Sequence, residues 1–116
     1  MSQAQALVQE SWVDVCTLDE ILPNTAVCAM VDGQQIAIVR SGAQLYAVDN
    51  FDPFSRAFVM SRGIVGDRRG RPMIASPIYK HAFDLQTGAC VDDPTVSLRV
   101  FAVRVRHGRV EVCERR

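Results

Sequence analysis

The chain has 116 residues, and 48% of them are hydrophobic, so it is long enough for one domain with a core of its own. Thirteen basic and thirteen acidic residues give a formal net charge of zero, which argues against nonspecific binding to nucleic acid. The longest apolar runs are too short to cross a bilayer, and the first ten residues lack the pattern of a signal peptide. We therefore expect a cytoplasmic protein with no nucleic-acid or membrane partner.

The charges are divided unevenly along the chain. Residues 1–54 contain seven acidic residues and one basic residue, a net charge of −6, and the remainder carries +6. Attraction between the two halves within the fold explains this division, and so does a polarised face for a protein partner. We favour the first interpretation, because position in the sequence says nothing about clustering on the surface.

The sequence contains four cysteines: Cys16, Cys28, Cys90 and Cys113. They form no C-x-x-C pair, and no histidine stands at zinc-site spacing beside one. In a reducing compartment we expect thiols, most of them small core residues.

The N-terminal part of the chain predicts a strand followed by a single helical turn. Residues 12–16 alternate between two sets of side chains, as a strand does. Residues 18–22 fit one helical turn, because Thr17 stands at the cap and Glu20 at the capping-box position. Pro23 then ends the turn.

Turn signals predict hairpins along the rest of the chain. The Asp-Gly pair at 32–33 is a strong one, because both central residues of such a turn favour positive φ. Further turns are predicted at 41–42, 86–88 and 107–108. The strands predicted around these turns are 27–31, 34–39, 45–48, 83–85, 89–91, 98–105 and 110–112. No segment keeps a helical period, so the fold class is all-β, a sandwich or small barrel with few short helical turns.

One region interrupts this rhythm. Residues 49–77 contain three prolines and three glycines, and they are too long for an ordinary connection in a small domain. Their apolar content predicts an ordered loop, with a short helix at about 56–60.

Two motifs stand at the edges of this region. The first is DPF at 52–54, and the second is SPIYKH at 76–81, followed by FDLQTG at 83–88. They resemble the loops of Rieske domains, where Cys-Pro-His and Cys-Pro-x-His-Gly hold a [2Fe–2S] cluster ahead of Phe-Asp-x-x-Thr-Gly. The four ligand positions are occupied here by Asp52 and Phe54 in the first motif and by Ser76 and Tyr79 in the second.

These replacements change the chemistry of the site. A carboxylate, a benzyl ring, a hydroxyl and a phenol cannot replace two thiolates and two imidazoles, so we expect no cluster, metal or other cofactor in this chain. We expect the rings of Phe54 and Tyr79 to fill the emptied lobe. One alternative is an electron-transfer protein with a non-standard cluster that uses neighbours such as His81 or Cys90. Another is a small-molecule binding module with a cavity beneath Tyr79.

Three segments narrow the resemblance further. DPFS at 52–55, VMSRGIVGD at 59–67 and SPIYK at 76–80 resemble the small subunit of the assimilatory NADH-dependent nitrite reductase, from about residue 12 to the C-terminus. The resemblance implies a single Rieske-like β-sandwich over residues 1–116, with a former cluster-binding lobe at about 51–83.

It also implies a role in nitrate assimilation. The partner is a large subunit with FAD, an iron–sulfur cluster and sirohaem, which reduces nitrite to ammonium with NADH. The small subunit binds and supports that partner and contains no catalytic site of its own.

We predict that the docking surface lies within residues 49–79, where aromatic and arginine side chains occur together as they do in interface hot spots. Glycines among these arginines raise the alternative of an anion site, but the spacing matches neither a P-loop nor a dinucleotide fingerprint. A solvated basic loop is the favoured interpretation of that pattern. The predicted docking residues are Phe54, Arg62, Arg68, Arg69, Arg71 and Tyr79.

Overall fold

A computed structural model describes residues 11–113, and these residues form twelve short strands and two 3-10 turns. The prediction of an all-β fold is confirmed. No helix among these residues is long and apolar enough to span a membrane. The strands are β1 (Trp12–Thr17), β2 (Thr25–Val31), β3 (Gln34–Ser41), β4 (Gln44–Asp49), β5 (Phe51–Asp52), β6 (Ala57–Phe58), β7 (Ile64–Arg68), β8 (Arg71–Ala75), β9 (Ala82–Asp84), β10 (Val100–Phe101), β11 (Val103–Arg106) and β12 (Arg109–Cys113). The 3-10 turns are η1 (Leu18–Glu20) and η2 (Met60–Arg62).

Two antiparallel sheets form the base of the molecule. One has the strand order β10-β4-β3-β2 and the other β1-β12-β11. Their side chains meet in a core cluster that includes Ile36, Ile38, Phe101 and Val110. The predicted strand at 98–105 is divided between the two sheets, because β10 pairs with β4 whereas β11 pairs with β12.

The remaining strands form a second lobe over the other face of the β3–β4 pair. It contains the β5–β6 hairpin, η2 and the three-stranded sheet β7-β8-β9. Its core, with Met60, Ile74 and Phe83, packs against Val39 and Val48 of the base. Because β3 has core on both faces, all four residues at 36–39 are buried, which explains their uninterrupted apolar run.

Two of the hairpins predicted from turn signals are confirmed. Asp32 and Gly33 have φ of 52° and 80°, and they join β2 to β3. His107 and Gly108 have φ of 52° and 76°, and they join β11 to β12. The hairpin predicted around 86–88 is present only as a tight turn with an isolated bridge between two residues.

The capping interaction near the N-terminus is also confirmed. The carboxylate of Glu20 accepts hydrogen bonds of 2.9 Å from both the backbone N–H and the hydroxyl of Thr17. The helical turn itself is η1, which ends at Glu20 rather than at residue 22.

The prediction of a long loop at 49–77 is wrong. β5 and β6 pair as a hairpin, and β7 and β8 pair through a two-residue turn at Arg69 and Gly70, whose φ values are 54° and 82°. The helix predicted at 56–60 is wrong as well, because β6 and the start of η2 occupy those positions. Pro72 suggested a break in the strand. It pairs with Asp67 in a non-hydrogen-bonded pair of the antiparallel ladder, where the missing N–H of proline costs no hydrogen bond to β7.

The ion pairs bear on the uneven charge distribution. Among the described residues, Arg109 and Asp14 join the acidic half of the chain to the basic half, with a shortest distance of 2.7 Å. The other two pairs, Arg71–Asp84 and Arg104–Glu111, lie within the basic half. Within residues 11–113, one ion pair therefore supports attraction between the two halves.

We expect Gly63→Ala to destabilise the fold and Gly66→Ala to be tolerated. A Cβ at Gly63 would overlap the carbonyl oxygen of Ala75 and lie 2.9 Å from Cγ1 of Ile74, whereas one at Gly66 would meet nothing within 4 Å. Overpacking of this kind costs about 1–3 kcal/mol. Urea unfolding of both variants tests the difference, and equal midpoints would show that the β7–β8 hairpin does not pack as closely on η2 as described.

Candidate functional site

The candidate site is formed by two loops that begin with buried polar side chains. The first loop (residues 52–56) joins β5 to β6, and the second loop (residues 76–81) joins β8 to β9. Asp52 opens the first loop and Ser76 opens the second, and both are 0% exposed. The hydroxyl of Ser76 donates a hydrogen bond of 2.6 Å to Oδ2 of Asp52, which links the two loops directly.

Asp52 also organises its own loop. Its Oδ2 accepts a second hydrogen bond, of 2.7 Å, from the hydroxyl of Ser55. Its Oδ1 accepts the backbone N–H of Phe54 at 3.0 Å, and its carbonyl oxygen accepts the N–H of Arg56 at 2.7 Å. The turn from β5 to β6 is therefore built around this one residue.

Ser76 closes the second loop in the same manner. Its hydroxyl oxygen accepts the N–H of Ile78 at 3.2 Å, and its carbonyl oxygen accepts the N–H of Lys80 at 3.0 Å. Its own N–H donates to the carbonyl oxygen of His81 at 2.9 Å. One hydroxyl thus donates to the first loop and accepts within the second.

The hydrogen bonds decide the charge state of Asp52. Burial raises the pKa of this carboxyl, but the hydroxyls of Ser76 and Ser55 and the N–H groups of Phe54 and Ser55 lower it by more. The net result is a pKa below the ordinary value, so Asp52 is an ionised acceptor at neutral pH. Four donors, rather than a cationic side chain, stabilise this buried charge.

Aromatic rings from both loops pack against one another. The ring of Phe54 stacks on His81 at a centroid distance of 3.7 Å and an angle of 6°, and Phe83 lies 6.1 Å from it. Tyr79 meets His81 edge-on at 6.5 Å but is 61% exposed. The expectation that Phe54 and Tyr79 fill the lobe is therefore right for Phe54 alone, because His81 stacks against Phe54 and leaves Tyr79 at the surface.

The four residues at the ligand positions do not fit a [2Fe–2S] cluster held by two thiolates and two imidazoles. The lone pairs of Asp52 are occupied by hydroxyl and N–H donors, and the benzyl ring of Phe54 has no donor atom. Neither residue proposed as a substitute ligand is well placed. Cys90 is 1% exposed within the apolar core cluster, and the ring of His81 is stacked, with its Nδ1 buried and without a hydrogen-bond partner among the described residues.

The predicted docking residues separate into two groups. Arg62 precedes β7 at the end where Ile64 pairs with Ala75, which is the end that carries the second loop. Arg68 and Arg69 lie at the opposite end of the hairpin. Four residue steps along β7 separate Ile64 from Arg68, a distance of about 13 Å. Arg62 therefore lies at the end of the hairpin that carries the second loop with Tyr79, and Arg68, Arg69 and Arg71 lie at the opposite end.

Arg71 has a partner within the chain, which the sequence analysis did not foresee. Its Nε donates to Oδ2 of Asp84 at 2.5 Å, and Oδ1 of Asp84 accepts the N–H groups of Gln86 and Thr87. Burial raises the pKa of Asp84, but Arg71 and these N–H groups hold it below the ordinary value. The aspartate of the FDLQTG motif is thus a turn-forming residue whose charge neutralises Arg71.

Asn50, like Asp84, is a residue that the sequence did not single out. It is 2% exposed, and its amide nitrogen donates to Gln35 of β3 at 2.9 Å. Its side-chain oxygen accepts the N–H of Ser61 at 2.7 Å. Asn50 therefore ties the second lobe to the base, and its place just after a strand is the sequence signal that could have indicated it.

A cleft of about 500 Å³ lies between the β7–β8 hairpin and the turns of the base. Val65, Gly66 and Asp67 line one side, and Ser41 and Tyr46 belong to the other. Its lining includes no residue of the first or second loop, so this cleft is not the cavity expected beneath Tyr79.

Comparison with known proteins gives the class of this fold and site. The family model of the Rieske-like [2Fe-2S] domain matches residues 11–113. The chain therefore belongs to the Rieske-like domain family, although its residues at the ligand positions do not suit the cluster.

Its relatives narrow the class. The chain is 40% identical over 103 residues to the NADH nitrite reductase small subunit of Salmonella typhimurium, a match that covers 87% of this chain and 95% of that protein. A Mycobacterium tuberculosis protein assigned as an NADH-dependent nitrite reductase small subunit has a crystal structure similar to this one, with a TM-score of 0.88, 47% identity and coverage of 91% and 96%. Within the Rieske-like family, the chain belongs to the small subunits of NADH-dependent nitrite reductase.

A third relative is a longer protein. The chain is 39% identical over 107 residues to the nitrite reductase [NAD(P)H] large subunit of Klebsiella oxytoca. The match covers 92% of this chain and 11% of that protein.

We expect Asp52→Asn to lower the free energy of unfolding at neutral pH by roughly 2–3 kcal/mol, because the amide NH₂ would face the hydroxyls of Ser55 and Ser76. The folded-state pKa of Asp52 lies below the unfolded one. Its contribution is therefore complete above the unfolded pKa of about 4 and is lost as the pH falls through the folded value.

Denaturant unfolding at a series of pH values tests this expectation. The difference between the wild type and Asp52→Asn should narrow below pH of about 4. Asp49→Asn is the matched control, since the amide oxygen can still accept the N–H of Phe51. A pH-independent difference between wild type and Asp52→Asn would show that ionisation of Asp52 is not what joins the loops.

Proposed function

We propose that this chain is the cytoplasmic accessory subunit of an NADH-dependent nitrite reductase. It binds the large subunit, which carries FAD, an iron–sulfur cluster and sirohaem, and it supports the reduction of nitrite to ammonium without a redox centre of its own. The observation that carries the proposal is the buried hydrogen bond between Ser76 and Asp52, which occupies the place of two cluster ligands within an otherwise Rieske-like frame.

Donor chemistry supports the proposal that this chain has no redox role. An electron carrier of this family needs thiolate and imidazole ligands at the four positions, and hydroxyl, phenol, carboxylate and phenyl groups stand there instead. What the lobe retains is its shape, because Asp52, Ser76 and the Phe54–His81 stack hold the two loops together. A domain with a fixed surface and no cofactor suits a binding role.

The Klebsiella oxytoca relative supports the choice of partner. In that protein a segment similar to this chain is part of a nitrite reductase large subunit. A domain that occurs in one polypeptide with the large subunit in one organism is well suited to bind the large subunit as a separate chain in another.

We expect the isolated protein to contain no stoichiometric iron and to show no thiolate-to-iron absorption in the visible range, because none of the four ligands is present. We also expect no oxidation of NADH by nitrite when the large subunit is missing. Iron analysis, an absorption spectrum and an NADH assay measure these properties. One bound cluster per chain would support the alternative of an electron-transfer protein with non-standard ligands.

We expect Arg68→Glu combined with Arg69→Glu to weaken binding to the large subunit, on the order of tenfold at low salt. Both side chains are exposed at the β7–β8 turn, so the fold should be unaffected. Surface charges act mainly through the association rate, so the loss should shrink as salt rises.

Biosensor kinetics at several salt concentrations measure this effect. Arg99→Glu with Arg106→Glu makes the same change of charge on exposed residues outside the second lobe and serves as the matched control. If both double variants bind equally well, the basic end of the hairpin is not part of the docking surface.

A further inference from the structure

The centre of β7 carries a glycine that the fold itself does not require. Gly66 pairs with Met73 in a ladder without a bulge, and its φ is not in the left-handed region. A Cβ at this position would meet nothing within 4 Å. Glycine inside a strand weakens it, and it often marks a bulge, a bend or the close approach of a ligand or another backbone. Neither a bulge nor a close neighbour in the described chain accounts for Gly66, and its open face leaves room for a side chain of an added strand.

β7 is also the edge strand of its sheet, whose order is β7-β8-β9. In a two-residue hairpin the residues that flank the turn form a hydrogen-bonded pair, here Arg68 and Arg71. Alternation along the ladder then directs the N–H and C=O of Gly66 toward β8. The corresponding groups of Val65 and Asp67 point to the free edge.

The cleft between the hairpin and the base adjoins β7 but is not confined to its free edge. Its lining includes Val65, Gly66 and Asp67 of β7, Pro72 of β8, and Ser41 and Tyr46 on the far side. Its volume of about 500 Å³ lies within the range of ligand-binding clefts. An unpaired strand edge beside such a cleft is the arrangement that accepts an extended peptide by strand addition.

The charges at the end of the edge indicate what kind of segment fits. Arg68 and Arg69 are exposed and form no ion pair among the described residues, whereas Arg71 is paired with Asp84. Acidic side chains in the incoming segment would complement these two arginines. A second copy of β7, paired antiparallel about Gly66, would set Ile64 opposite Arg68 and leave the charge unmatched.

We propose that the outer edge of β7 binds an extended acidic segment of the nitrite reductase large subunit by β-strand addition. The inference rests on the proposed function, because it names the surface through which the accessory subunit holds its partner. The N–H and C=O groups of Val65 and Asp67 supply the backbone hydrogen bonds, Gly66 leaves room on the face of the sheet for a side chain of the added strand, and Arg68 and Arg69 select an acidic sequence.

The test compares Asp67→Pro with Asp67→Ala. Both variants lose the hydrogen bond of 3.2 Å that the Asp67 carboxylate accepts from the N–H of Gly70, so this loss cancels in the comparison. Proline also removes the N–H that points to the free edge, yet it leaves the ladder to β8 intact, since Asp67 does not donate to that strand. Asp67→Ala should bind the large subunit at least as tightly as the wild type, and Asp67→Pro about tenfold or more weakly.

Hydrogen exchange on the wild type gives an independent readout if Asp67→Pro fails to fold. The amides of Val65 and Asp67 should exchange rapidly in the free subunit and become protected in the complex, whereas Gly66 is protected in both. The inference, but not the proposed function, is overturned if the complex forms with these two amides unprotected. The same holds if the large subunit binds Asp67→Pro as tightly as Asp67→Ala. Self-association lost in Asp67→Pro would name a second copy as the occupant and would overturn it as well. No complex with the wild type at all refutes the proposed function itself.

Discussion

A single buried carboxylate holds together the two loops of the candidate site. Asp52 shapes the first loop through Ser55 and Phe54, and it joins the second loop through Ser76. Once these loops are fixed, the ring of Phe54 is directed onto His81 and into the lobe. A hydrogen-bonded polar link thus connects the two loops, and aromatic rings from both loops pack beside one another.

Such a link is stable only if the buried charge is fully solvated by the protein. An ionised carboxylate without partners is costly to bury, and hydrogen-bond donors repay that cost when each lone pair meets one. Asp52 satisfies this condition without an arginine or lysine, because two hydroxyls and two N–H groups surround it. Ser76 is therefore as necessary to the link as Asp52. Of the four donors that surround Asp52, its hydroxyl is the one that comes from the other loop.

Much of the fold could be predicted because its signals are local. The Asp32–Gly33 turn sets its hairpin through backbone preference alone, and the DPF and SPIYKH motifs mark the two loops by their prolines. The β7–β8 hairpin was not predicted because Gly66 and Pro72 are residues that usually interrupt strands. Both residues fit into the hairpin because of where they fall in its alternating pattern of hydrogen-bonded and non-hydrogen-bonded pairs. The sequence does not reveal that pattern until the register of the strands is known.

The candidate site was predictable in its residues but not in its contacts. The motif located Asp52 and Ser76, yet their direct bond and the exposure of Tyr79 depend on how two distant loops pack. The pairing of Arg71 with Asp84 likewise depends on the neighbouring strands β8 and β9. This ion pair distinguishes Arg71 from Arg68 and Arg69, which form no ion pair with any described residue and can bind a partner.

The most direct test of this structure is an NMR titration of the side-chain carboxyl carbons in labelled protein. We expect the Asp52 carbon to keep the chemical shift of an ionised carboxylate below the pH of about 4 at which an aspartate in an unfolded peptide protonates. A midpoint at or above that reference value would contradict the account. It would show that burial outweighs the four donors and that a neutral acid, rather than a carboxylate, stands between the two loops.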